Sequence, residues 1–160
     1  MRLLVLGGTA WLGSEIVGDA VARGHEVTAV ARGETGSPPE GAAFVRADRT
    51  IPGALDAVSG EFDAAIDVTR QPGQMREAVR ALEQRVAHWV LVSSGSAYAD
   101  QSVYGGDESM PTHEPLDADV MPDMSEYGPA KAACERILLD AVGPERARCC
   151  LLYTSPSPRD

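Results

Sequence analysis

Apolar residues first enter this chain as short, little-interrupted runs. Leu3 to Leu6, Val27 to Ala31, Ala43 to Arg46, Phe62 to Thr69 and His88 to Ser94 each carry one. Runs of this length, bounded by glycine, proline and polar residues, predict strands buried on both faces, as in a parallel sheet. His88 marks the exposed start of the last of them. Between the runs the spacing becomes helical. Trp11, Leu12, Ile16, Ala20 and Val21 recur with that period and stop at Arg23-Gly24, a basic last turn and a terminating glycine. Pro72 to Arg85 predicts a second helix, on which Arg76, Glu77, Arg80 and Glu83 form a solvated face. Pro52 to Val58 predicts a short helix with proline in its first turn. A further helix begins at Tyr127 and runs on through Cys134, Ile137, Leu138 and Leu139.

Strands and helices alternating at this pace predict an α/β fold: a doubly wound parallel sheet, strand order 3-2-1-4-5-6, with right-handed crossovers. Ligands of such sheets bind outside the carboxyl ends of the strands. Two loops interrupt the pattern, the Gly/Pro/Ser-rich stretch from Gly33 to Gly41 and the long polar one from Gly95 to Pro122. A loop of the second kind in a compact domain is usually functional or mobile.

Composition narrows the function classes. A length of 160 residues fits one domain with a real core. The net charge of −10 disfavours nucleic acid or anionic lipid as the main partner. No apolar run is long enough to span a membrane, and Met1-Arg2 leads straight into the first strand, so a cytoplasmic location is expected. Cys134, Cys149 and Cys150 have neither metal-ligand spacing nor a disulfide framework, and no metal is expected.

Two stretches carry chemistry. The first strand runs into Gly7-Gly8-Thr9-Ala10-Trp11-Leu12-Gly13, a glycine-rich turn opening a helix. Gly7 and Gly8 allow a tight turn and close approach of backbone N–H groups, and Gly13 lets the helix pack against the strand. The helix N-terminus then favours a pyrophosphate. Ala10 stands where the middle glycine of such turns is expected and adds a methyl group there. At the end of the second strand, an acidic residue for ribose hydroxyls is replaced by Ala31-Arg32-Gly33. Arg32 suits a 2′-phosphate, so NADP is preferred over NAD. Asp48 is a candidate to hydrogen-bond the adenine, and Thr69 and Ser93 to Ser96 gather at the same sheet end. The second stretch is Tyr127-Gly128-Pro129-Ala130-Lys131. Residues i and i+4 on a helix face lie about 5–6 Å apart at Cβ. A phenol of pKa about 10 is a poor base at neutral pH. A neighbouring ammonium, with the positive nicotinamide ring, favours the phenolate, and a fifth-strand hydroxyl would hold the substrate oxygen beside it.

Leu-Gly-Gly-Thr-Ala-Trp-Leu-Gly, Val-Ser-Ser-Gly-Ser-Ala-Tyr and Tyr-Gly-Pro-Ala-Lys, in that order, resemble the extended short-chain dehydrogenase/reductases, the NAD-dependent epimerase/dehydratase family. The resemblance covers residues 1–149 and implies a Rossmann-type fold. It implies a catalytic serine at Ser94, four residues before Tyr98, with Ser96 as runner-up. It implies Tyr127 as base and Lys131 as both activator and cofactor-ribose ligand. Ala10 and the missing acidic residue beside Ala31 suggest an atypical, reductase-like branch. The implied substrate is a small-molecule hydroxyl or carbonyl compound, nucleotide sugars being among the candidates. A homodimer of the full-length protein is compatible with the resemblance. Two alternatives are a non-catalytic NADP-binding sensor, against which Ser94, Tyr127 and Lys131 argue, and an RNA-binding relative, against which the acidic balance argues.

Arg146 to Cys149 has the look of a sixth strand beginning. Cys150 to Asp160 instead reads like the translation of a transposase-type sequencing adapter, a non-native tail on an N-terminal fragment truncated before or within that strand. Such a fragment is expected to be inactive, with the edge around Trp89, Leu91 and the Tyr127 helix poorly covered. Cys149 to Thr154 is nonetheless apolar enough to sit beside strand five, until Pro156 and Pro158 end the pairing.

Overall fold

The computed structural model describes residues 1–100, 102, 107 and 109–152. Six parallel strands form one sheet: β1 (Arg2–Leu6), β2 (Glu26–Ala31), β3 (Ala43–Arg46), β4 (Phe62–Asp67), β5 (Val86–Ser94) and β6 (Ala147–Leu152). Their order is β3-β2-β1-β4-β5-β6, as the alternation predicts. Helices α1 (Trp11–Ala22), α2 (Pro72–Leu82) and α3 (Tyr127–Val142) cover the sheet.

The central strand shows why the runs are continuous. Leu3 and Val5 join Val17 and Ala20 of α1 on one face, while Leu4 and Leu6 join Met75, Leu82 and Leu138 of α2 and α3 on the other. Both sets lose their water, so every position of β1 from Leu3 on must be apolar. Trp11 does not belong to the buried stripe. It is 82% exposed, at the helix start, where the chain has just left the sheet.

Three further expectations change. Residues 52–58 form successive tight turns and no helix. Gly53 has φ +81°, which interrupts helical geometry, and the amides of Gly53 and Leu55 donate to Glu77 Oε1. Glu77 is therefore buried rather than solvated, and Arg80 Nε donates to its Oε2 at 2.8 Å. That bond, ahead of the two amides, holds its carboxyl below the usual range. Trp89 and Leu91 are fully buried, because α2 and α3 pack on their face and β6 pairs with β5 from Trp89↔Ala147 to Ser94↔Leu152. The half-buried side chains of this region are Ile66, Val90 and Val92, on the opposite face. Pro156 and Pro158 lie outside the described residues. β5 also begins earlier than His88, at Val86, and α2 gives way at Leu82 to a single 3₁₀ turn, Glu83–Arg85.

Candidate functional site

The carboxyl end of β1 turns sharply into α1. Gly7 takes φ +94°, and a Cβ on Gly13 would overlap the Gly7 carbonyl, so the helix start rests directly on the turn. Gly7 N and Gly8 N both donate to Val30 O, at 2.8 and 3.3 Å, which locks β2 to the turn. These two amides are thus spent within the protein. The donors left for an anion are the first-turn amides of α1, which has no side-chain cap and no acidic residue in that turn. Ala10, the N-cap, has φ −82°, so its backbone does not need glycine. Its methyl group is exposed. Thr9 is buried, its hydroxyl 3.2 Å from that of Thr35, and Leu12 is half-buried behind it.

Beside the turn lies a cleft of about 180 Å³ lined by Gly7, Ala10, Val30, Ala31, Arg32, Ala47, Arg49 and Gln74, among others. Arg32 reaches it from the end of β2, half-exposed and 3.0 Å from Glu34. It also borders a larger neighbouring cleft of about 610 Å³. Asp48 lies next to Arg49, but its Oδ1 accepts from both Thr50 N and Thr50 Oγ1. The Thr50 amide and then the hydroxyl hold the Asp48 carboxyl below its usual range.

At the ends of β4 and β5 a second group assembles. Lys131 is 3% exposed, and its Nζ donates to Thr69 O at 2.6 Å and Val92 O at 2.7 Å. Burial, first of all, pushes its ammonium below the ordinary range. Among the described residues two of its three N–H donors are used, which leaves one for a ligand. Thr69 is buried, its hydroxyl donating to Gln74 Oε1 at 2.7 Å. Ser94 caps the 3₁₀ turn Gly95–Ala97 by accepting from Ser96 N at 3.2 Å, and the two hydroxyls lie 3.3 Å apart. Ser93, on the α3-facing side of β5 with Trp89 and Leu91, donates to Glu135 of α3, whose carboxyl burial pushes up. Tyr127, half-buried, begins α3, and among the described residues its hydroxyl has no partner. Arg32, Thr69, Ser94, Tyr127 and Lys131 thus gather at one end of the sheet, while the Ser93 hydroxyl is taken up by Glu135.

Sequence reasoning missed three residues here. A Cβ on Gly128 would overlap Ser96 O and lie 2.7 Å from His113 Cδ2, so α3 can seat on the 3₁₀ turn only without one. Gly128→Ala is expected to cost about 1–3 kcal/mol by overpacking and to lower turnover more than cofactor affinity. Thermal unfolding and cofactor titration of one preparation check this. The others are Arg49 and Asp67, a buried ion pair with Nη1 2.6 Å from Oδ2. The signal was a charge inside the apolar run of β4. Among the described residues no cluster of His, Cys, Asp and Glu could hold a metal ion, and no helix is long and apolar enough to cross a membrane.

Comparison with known proteins adds the lineage. The profile of the "NAD dependent epimerase/dehydratase family" matches residues 3–155. The chain belongs to that family. A 4-hydroxy-tetrahydrodipicolinate reductase of Natronomonas pharaonis is 37% identical over 95 residues, 59% of this chain and 35% of the relative. A UDP-galactose 4-epimerase structure superposes with a TM-score of 0.75 at 21% identity, covering 96% of this chain and 55% of that one. The UDP-glucose 4-epimerase of Thermus thermophilus, in complex with NAD, gives 0.71 at 24% identity, over 96% and 54%. Bordetella bronchiseptica WbmG, in complex with NAD and UDP, gives 0.67 at 19%, over 96% and 52%. At these identities the structures share the fold. The chain spans about half their length.

Proposed function

We propose that this chain is the cofactor-binding and catalytic part of a longer NAD(P)-dependent enzyme acting on a hydroxyl or carbonyl of a small molecule, with nucleotide sugars the leading class. The observation that carries this is Lys131. It is a buried ammonium strung between the ends of β4 and β5, one helical turn from Tyr127 and close to the strand that bears Ser94. The turn fits a dinucleotide: the α1 first-turn amides have no protein cap, and Gly13 brings them onto the strand end. A bound nicotinamide would supply hydride acceptance or donation. Tyr127 exchanges a proton with the substrate oxygen, Ser94 donates a hydrogen bond to that oxygen, and Lys131 stabilises the phenolate and takes a ribose hydroxyl. The residues from Cys150 onward are proposed to be adapter-derived, and the substrate lobe to lie in sequence that this chain does not carry.

Titration of the full-length protein with NADPH and NADH tests the cofactor half; failure of both to bind removes the proposal. NADPH is expected to bind more tightly. Arg32→Ala is expected to weaken NADPH roughly tenfold or more, the worth of one charged hydrogen bond, and to leave NADH nearly unchanged. Equal losses for both would take the 2′-phosphate away from Arg32.

A further inference from the structure

Asp67 occupies an unusual position for a carboxylate. It is fully buried at the end of β4, on the face that carries Ala65 and the main core. Its Oδ1 accepts from Thr69 N at 2.9 Å and its Oδ2 from Arg49 Nη1 at 2.6 Å, so both oxygens are satisfied. Arg49 is more generous than its partner requires. Its side chain is 8% exposed, and a guanidinium carries donors on three nitrogens. Among the described residues only Nη1 is used, and Nε and Nη2 have no partner. Arg49 nevertheless lines both clefts, the smaller beside Val30 and Ala47 and the larger beside Gln71. These donors are not sealed in, since among the described residues the buried polar side-chain atom without a partner is Trp89 Nε1; they open onto the clefts, where a ligand's acceptors can replace water.

The charge balance says which acceptors. Arg49 and Asp67 cancel, so the pair presents directional N–H groups with little net charge. Arg32 differs: it is half-exposed, and among the described residues its one ion pair is with the equally exposed Glu34, which an anion can displace. The wall around Arg49 is apolar at Val30, Ala31 and Ala47, suited to the face of a flat ring.

We propose that Arg49, held in place by Asp67, is the base-reading residue of the nucleotide cleft, donating to in-plane acceptors of a purine while Arg32 takes the charged ribose substituent. This rests on the dinucleotide site proposed above.

The test uses 5′-AMP, adenosine 2′,5′-bisphosphate and NADH, titrated calorimetrically into the full-length protein at low and high salt. Arg49→Leu combined with Asp67→Leu removes the donors without leaving a buried lone charge. Arg49→Lys keeps the charge pair and loses the fork, and carries the test if the double variant does not fold. The expected result is a roughly tenfold loss, the worth of one such bond, equal for all three ligands and independent of salt. Unchanged 5′-AMP affinity in variants that melt as folded proteins overturns the proposal. So does a salt-dependent loss confined to the bisphosphate, which would make Arg49 a phosphate ligand. If the wild-type protein binds none of the three, the dinucleotide site falls and this proposal falls with it. The two failures are told apart by the wild-type titration alone.

Discussion

Tyr127→Phe in the full-length protein is expected to lower kcat by about 10²–10⁴-fold, the usual worth of a general acid–base group, with cofactor affinity nearly intact. The substitution keeps the ring that packs at the start of α3 and removes only the hydroxyl, which has no partner among the described residues. Stability should therefore change little. Lys131 is anchored by backbone carbonyls and not by the phenol, so its position does not depend on Tyr127. Single-turnover measurement of hydride transfer gives the number, and near wild-type turnover would eliminate Tyr127 as the base. Ser94→Ala should cost more activity than Ser96→Ala, since Ser94 is the buried hydroxyl at the strand end and Ser96 is only half-buried. The reverse order would move the substrate-holding role to Ser96.

Where burial forces a regular pattern, the fold was legible in the residues. β1 is apolar from Leu3 to Leu6 because helices lie on both its faces, and that constraint reads directly as a run. The motifs Gly7 to Gly13 and Tyr127 to Lys131 were legible for a related reason. Close approach at Gly13 and the one-turn spacing of a helix each admit few residue types. Glu77 and the stretch from Pro52 to Val58 were misread together, through one long-range interaction. Helical spacing placed Glu77 on the charged side of α2, but nothing local shows that amides of a distant turn converge on it. Ser93 and Ser94 illustrate the limit within the site. Adjacent strand residues point to opposite faces: Ser93 shares the face of Trp89 and Leu91 and is taken up by Glu135 of α3, while Ser94 caps the turn that follows, and two identical neighbours carry no signal of that division.

Asp67→Ala is expected to destabilise the folded protein by about 3–5 kcal/mol, the cost of stranding a buried charge. For a chain of this size each kcal/mol is worth roughly 2–4 °C of Tm, so thermal unfolding resolves it easily. The loss has two parts: Arg49 keeps its positive charge at 8% side-chain exposure without a counter-ion, and Thr69 N loses the acceptor it meets at 2.9 Å. Thr69 matters beyond its own bond, because its carbonyl receives Lys131 Nζ, so disorder there would reach Lys131. Replacing both members with leucine removes the stranded charge, and buried pairs exchanged for apolar residues are often neutral in stability. A double variant near wild-type Tm beside a weakened single variant would show that the pair is not kept for stability. A double variant as weak as Asp67→Ala would instead trace the loss to the Thr69 amide, the donor to Asp67 that the double variant keeps but leaves without its acceptor.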